Sequence, residues 1–229
     1  MGQMALPVQL NDYAVFESFL PAKNFELYEL LKDLPSLDDS FSGCWVWGAK
    51  ASGKSHLLQA LCERAKGDAI YLPMRDLCID DPLLLEGLAA RRFVCIDDID
   101  ICAKDNAWEM AFFDLFNRAL DIESSLIVSS TFSPKNTGFA LNDLMSRFSQ
   151  YPAFKLITLD DEECKLALQL RAKHRGIDLT DEVLNYLLNN ENRDMNSLYN
   201  LLDRLDVASL AAKRKLTIPF VKEVMTEIN

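Results

Sequence analysis

Eight consecutive residues, Gly48-Ala49-Lys50-Ala51-Ser52-Gly53-Lys54-Ser55, constrain this chain more than any other feature. They satisfy the spacing G-x-x-x-x-G-K-[ST] at every fixed position. The apolar run Cys44-Trp45-Val46-Trp47 precedes them, and a segment of helical character, residues 55–65, follows. Strand, glycine-bounded loop and helix in that order make a phosphate cradle. The glycines let the backbone curl so that successive N–H groups point inward at phosphate oxygens. Lys54 brings an ammonium to the terminal phosphates, and Ser55 offers a hydroxyl to a divalent cation. The N-terminus of the helix adds its dipole. His56 comes next, is expected on the helix beside the loop and is counted with the cofactor-binding residues.

The rest of the chain supplies a frame for such a loop. Short apolar runs at 69–72, 92–96 and 125–129 read as buried strands, and 25–34 and 108–120 carry helical periodicity. Alternation of these two kinds of segment implies an α/β fold with a parallel sheet covered on both faces. From Asp160 onward the pattern changes to four helical segments, about 161–175, 180–190, 194–212 and 217–228, punctuated by Gly176, Asn189-Asn190 and Pro219. The expected organisation is an extended arm over 1–12, a nucleotide-binding α/β domain over 13–159 and a small all-helical lid domain over 160–229. The arm holds one charge, Asp12, and Pro7 breaks any helix in it.

A strand ending in carboxylates is the usual partner of a phosphate loop, and Phe93-Val94-Cys95-Ile96-Asp97-Asp98 provides one. Asp97 is assigned to the shell of a Mg²⁺ ion, reached through water, and Asp98 to orienting or polarising an attacking water. The bland alternative makes Asp98 and Asp100 solvated loop acids.

Composition removes several classes. With 24 basic against 35 acidic side chains the formal charge is −11, and strong direct DNA binding is not expected, since phosphate neutralisation needs clustered Lys and Arg. The longest basic run is Lys213-Arg214-Lys215. No stretch reaches the roughly 18 uninterrupted apolar residues of a membrane span, and the first residues lack the charged and apolar regions of a signal peptide. Cysteines stand at 44, 62, 78, 95, 102 and 164 without a C-x-x-C pair, and there are two His. Reduced structural thiols in a cytoplasmic protein are expected rather than a zinc site.

These residues resemble the AAA+ ATPases, and within them the bacterial replication initiator DnaA. The likeness runs from Phe16-Glu17-Ser18-Phe19 and Asn24 through Trp47-Gly48 to Leu58, then Cys95 to Ile99, Val128-Ser129-Ser130 with Pro134, and Leu144-Met145-Ser146-Arg147-Phe148. A DnaA-like module ending after the lid is similar to the Hda family of DnaA regulators, as is the segment 214–223. The resemblance implies ADP or ATP with Mg²⁺ as cofactors. It implies that Arg147 is an arginine finger completing the ATP site of DnaA in trans, against the bland reading of an arginine paired with Asp143. It places Thr131 near the position that senses the γ-phosphate, and Asn196 where the lid usually carries an arginine, with Arg193 three residues before it.

The resemblance also makes Gln3-Met4-Ala5-Leu6-Pro7-Val8 a docking peptide for the β sliding clamp of DNA polymerase III. Gln3 would bond at the rim of an apolar groove, Met4 and Leu6 would fill it, and Pro7 would lower the ordering cost. The implied function is negative regulation of initiation: linking DnaA-ATP to the clamp and stimulating its hydrolysis, with weak or no turnover of its own. The competing reading is an autonomous ATPase or helicase-loader-type remodelling factor. A small-molecule kinase fits poorly, since it needs neither Ser146-Arg147-Phe148 nor the helical domain. Oligomeric state, including a homodimer, stays open.

Overall fold

The computed structural model describes residues 14–37, 41–190 and 194–226. They group into two compact units, one of 14–16 with 23–158 and one of 17–22 with 159–226. The segment 17–22 therefore clusters with the helical unit, whereas sequence alone assigns it to the α/β domain.

In the first unit, helix α1 (Phe25–Asp33) leads to strand β1 (Gly43–Trp47) and helix α2 (Lys54–Arg64). Strand β2 (Ala69–Pro73), the short helix α3 (Met74–Leu77) and strand β3 (Phe93–Asp97) come next. Helix α4 (Asn106–Asp121), strand β4 (Ser125–Ser130), helix α5 (Asn142–Phe148) and strand β5 (Ala153–Lys155) complete the unit. All strand pairs are parallel, in the order β2-β3-β4-β1-β5. β3 and β4 are buried along their whole length, which is why they read as continuous apolar runs and not as alternations. A parallel sheet gathers the C-terminal ends of its strands on one edge, where ligands of such folds bind. Here that edge collects Trp47-Gly48, Asp97-Asp98 and Ser129-Ser130.

The core beneath that edge is aromatic. Trp108, Phe112, Leu115, Phe116 and Ala119 line one face of α4 at helical spacing and pack against Trp45, Val94, Leu126, Phe148 and Tyr151. The side chain of Asp105 accepts hydrogen bonds from the N–H groups of Ala107 and Trp108 and so starts the helix. Sequence reading finds β1 to β4, α1, α2 and α4 within a residue or two, but it misses α3, α5 and β5. β5 has only three residues and no buried one, so it lacks the apolar run that announces a strand. α5 spans seven residues of mixed character, too short for periodicity to register.

The second unit contains helices α6 (Asp161–His174), α7 (Asp181–Asn190), α8 (Met195–Ala212) and α9 (Ile218–Thr226), close to the four anticipated segments. Local chemistry sets their ends. Asp160 and Glu163 form a reciprocal capping box at the start of α6. Asp194 caps α8 through the Ser197 N–H. Two apolar clusters hold the bundle, one around Leu187, Leu205, Phe220 and Val221 and one around Leu168, Leu184, Leu198 and Leu202. Among the described residues no helix is long and apolar enough to cross a membrane.

Candidate phosphate-binding site

β1 hands over to the loop under tight backbone control. The Leu156 N–H donates to the Trp47 carbonyl at 2.7 Å, and the Gly48 N–H donates to the Ser130 carbonyl at 3.2 Å. Gly48 must be glycine, because a Cβ there would stand 2.7 Å from the Leu156 carbonyl oxygen. Gly53 has φ +101°, the left-handed region open to glycine, and this turn launches α2 at Lys54. Ala51 sits at φ +61°, a strained setting for a residue with a Cβ.

Two side chains of the loop point to a ligand. Ser52 Oγ is buried with no hydrogen-bond partner among the described residues, and such orphans are rare in native proteins. Lys54 Nζ donates to two carbonyls of its own loop, Gly48 at 2.9 Å and Ala49 at 3.0 Å. Burial pushes its pKa down, while the charges of Asp98, Asp97 and Asp100 oppose the shift. A buried ammonium parked on loop carbonyls becomes better solvated when phosphate oxygens arrive. His56 faces elsewhere: its Nε2 lies 2.9 Å from the Val15 carbonyl, which can only accept, so Nε2 carries the proton.

The acids converge as the register dictates. Asp97 is 4 % exposed, so its charge needs polar partners in place of water. It has two hydroxyls: Tyr71 Oη donates to Oδ2 at 2.6 Å, and Ser129 Oγ donates to Oδ1. Ser129 Oγ in turn accepts the Asp98 N–H at 2.9 Å, which steadies Asp98 at its left-handed φ of +54°. Asp98 is not a free acid awaiting water. Its Oδ2 accepts from Arg75 Nε at 2.6 Å in an ion pair. Burial and the neighbouring Asp97 raise its pKa, and Arg75 and Lys54 pull it back. Asp100 is half-buried and accepts the Thr131 N–H at 3.2 Å, so it holds the exit of β4 in place.

The donor set fits magnesium, a hard cation that takes one or two protein oxygens and completes its shell with phosphates and water. Each Asp97 oxygen accepts one hydroxyl and keeps a lone-pair direction for metal-bound water. Among the described residues no group of three or more His, Cys, Asp or Glu could hold an ion alone, so the phosphates would have to supply the remaining ligands. Ser55 would give its hydroxyl directly and Asp97 would act through water.

Beyond β4 the chain turns sharply. Trp45 Nε1 donates to the Phe132 carbonyl at 3.0 Å. Glu109, 1 % exposed on α4, accepts the N–H groups of Lys104, Ala140 and Leu141. Leu141 is the residue from which α5 starts, so this buried carboxylate fixes the root of the helix that carries Arg147. Arg147 is not paired with Asp143. Among the described residues it makes no ion pair, and its guanidinium lies 5.8 Å from the centre of the Phe116 ring.

Thr131 is half-buried, and Asn196 is exposed in the first turn of α8 in the other unit. Asn24, further up the chain, exchanges two hydrogen bonds with the Ile157 backbone, at 2.9 and 2.8 Å. Gln3, Met4, Leu6, Pro7 and Arg193 lie outside the described residues. Sequence reasoning missed Tyr71, Arg75, Ser129 as an acid-holding hydroxyl, and Glu109. Glu109 carried a weak signal, an acid on a helix whose neighbours are aromatic.

Residues 160–225 match the family model for the Hda lid domain. Over those residues the chain is similar to the Hda lid, and over nearly its whole length it shares the fold of solved DnaA structures. Domain III of DnaA from Thermotoga maritima superposes with a TM-score of 0.78 at 19% identity, covering 96% of this chain and 98% of that one. AMPPCP-bound DnaA from Aquifex aeolicus gives a TM-score of 0.71 at 22% identity, over 87% of this chain and 67% of that one. RuvB of Thermotoga maritima gives 0.66 at 15% identity, over 92% and 70%. At these identities the likeness establishes the AAA+ fold, an α/β core followed by a helical unit, and the similarity to Hda is confined to that helical unit.

Proposed function

We propose that this protein is a nucleotide-binding AAA+ regulator of replication initiation that acts on DnaA. In this reading it binds ADP or ATP with Mg²⁺ through Gly48–Ser55, Asp97 and Thr131. It docks on the β sliding clamp through Gln3, Met4, Leu6 and Pro7, and contributes Arg147 to the ATP site of DnaA. The observation that carries the reading is Arg147. It stands on a braced helix, engages an aromatic face instead of an acid, and has no partner in the phosphate loop of its own chain among the described residues. A cation held that way is available to a neighbour. Fingers of this kind accelerate phosphoryl transfer by roughly 10³–10⁵ in related systems. The Hda-type lid supports DnaA as that neighbour. The AMPPCP in the DnaA relative supports an adenine nucleotide.

Two further features favour a regulator over a fast ATPase. Asp98 is held by Arg75, and the lid position that the resemblance assigns to a γ-phosphate-sensing arginine is the neutral Asn196 here. The complete phosphate loop with Asp97 and Asp98 favours a second reading, an autonomous ATPase or helicase-loader-type factor.

The deciding measurement is hydrolysis of DnaA-bound ATP with DNA-loaded clamp present. The wild-type protein is expected to stimulate it, Arg147→Ala to lose the stimulation while still binding clamp and nucleotide, and deletion of 1–8 to lose clamp binding with nucleotide binding intact. No stimulation by wild type, together with rapid turnover by the protein alone, would establish the second reading. Equal stimulation by Arg147→Ala would keep the regulator and remove Arg147 from the chemistry.

A further inference from the structure

Tyr71 stands in the middle of β2, at the edge of the sheet, yet it is 8 % exposed. The register pairs it with Cys95, two residues before Asp97 on the same face of β3. Two residues along a strand span about 6.6 Å, which a phenol can cross. The hydroxyl crosses it and meets Asp97 Oδ2 at 2.6 Å. A phenol has one proton to donate, and here Asp97 receives it. The Gln59 amide of α2 donates to the same hydroxyl at 3.2 Å. A chain of hydrogen bonds therefore runs from α2 through β2 to the carboxylate on β3, and Ser129 from β4 closes it on the other oxygen.

We propose that Tyr71 is the positioning residue of the metal shell: its hydroxyl fixes the orientation of Asp97 and so sets how much magnesium adds to nucleotide affinity. The inference rests on reading Gly48–Ser55 as a nucleotide site. A carboxylate reached through water holds a cation well only when its lone pairs are aimed, and Tyr71 and Ser129 leave Asp97 one free direction on each oxygen. Removing an outer hydrogen-bond partner of a metal-shell group typically costs 10–100-fold in metal affinity.

The test is calorimetric titration of the full chain with ADP, in magnesium chloride and again in EDTA, for wild type and Tyr71→Phe. The ratio of the two dissociation constants is the readout, because loss of fold or of the phosphate cradle would weaken both arms. The ratio is expected to fall about tenfold in Tyr71→Phe, with the EDTA value within roughly a factor of two of wild type. An unchanged ratio overturns the proposal. Wild-type binding that is indifferent to magnesium also overturns it and leaves the nucleotide site intact. Absence of any ADP binding by wild type overturns the nucleotide site itself. If Tyr71→Phe does not fold, Gln59→Ala replaces it: a smaller fall in the same direction supports the proposal, and an unchanged ratio rejects it.

Discussion

The two units bury polar groups in opposite ways. In the lid, the guanidiniums of Arg171 and Arg175 are about 5 % exposed, facing Asp203 and Asp206, and Arg171 lies over the Tyr199 ring at 4.2 Å. Two cations meet two anions, and these ion pairs join the C-terminal end of α6 to α8. At the C-terminal edge of the sheet the buried polar groups are not matched in ion pairs of this kind. Ser52 Oγ has no partner, Lys54 rests on the carbonyls of its own loop, and Asp97 keeps lone pairs beside two hydroxyls. Buried polarity that balances internally is architecture. Buried polarity gathered at the C-terminal ends of parallel strands points to a ligand, since that is where ligands of such folds bind.

If that distinction holds, cutting the lid ion pairs harms stability and cutting the groups at the strand ends harms binding. The largest effect is expected from Asp203→Ala, which removes the carboxylate that Arg171 and Arg175 share. A loss of about 3 kcal/mol is anticipated, at the low end for breaking a buried pair because Asp203 is partly exposed. Denaturant unfolding of the full chain would measure it, and ADP affinity per folded molecule should be unchanged. Next comes Lys54→Ala, expected to lower nucleotide affinity by about two orders of magnitude, or ~2.7 kcal/mol, with little change in melting temperature. A variant that melts much lower would place Lys54 among the structural groups and break the comparison.

Glu109→Gln tests the border between the two kinds, since Glu109 is closed within the core yet supports the helix of Arg147. Its amide can still accept but loses the charge facing three N–H groups, and a cost of about 1–2 kcal/mol is expected. Stimulation of DnaA-bound ATP hydrolysis should fall while ADP binding persists. The smallest effect concerns pH. The folded-state pKa of Asp98 is raised by burial and by Asp97, so the folded protein binds that proton more tightly than the unfolded chain. Its contribution to stability is complete below the ordinary aspartate pKa and is lost as pH rises through the raised value. Asp98→Asn should flatten that decline, by tenths of a kcal/mol in melting experiments across mildly acidic pH, because Arg75 and Lys54 already offset part of the shift.

Legibility followed the distance between partners in the chain. Gly48 to Ser55 form one contiguous motif, so the loop, its strand and its helix could be read directly. The lid helices were equally legible, since periodicity and the caps Asp160 and Asp194 act within a few residues of the element they define. Asp97 was placed by its strand, but its surroundings were not. Tyr71, Arg75 and Ser129 reach the acids only through parallel pairing of β2, β3 and β4, and no local pattern encodes which strands pair. Asp98 therefore read as an acid facing water, and the structure gives it a guanidinium.

By itself the sequence determined the phosphate loop, the α/β core followed by four helices, and the acidic strand end, because each is set by neighbours within about a dozen residues. Tertiary structure alone decided which hydroxyls hold Asp97, which cation holds Asp98, and how Glu109 roots the helix of Arg147. Those contacts join residues 23 to 32 positions apart. They form only when burial of the sheet and its covering helices has compensated the entropy of bringing such distant segments together.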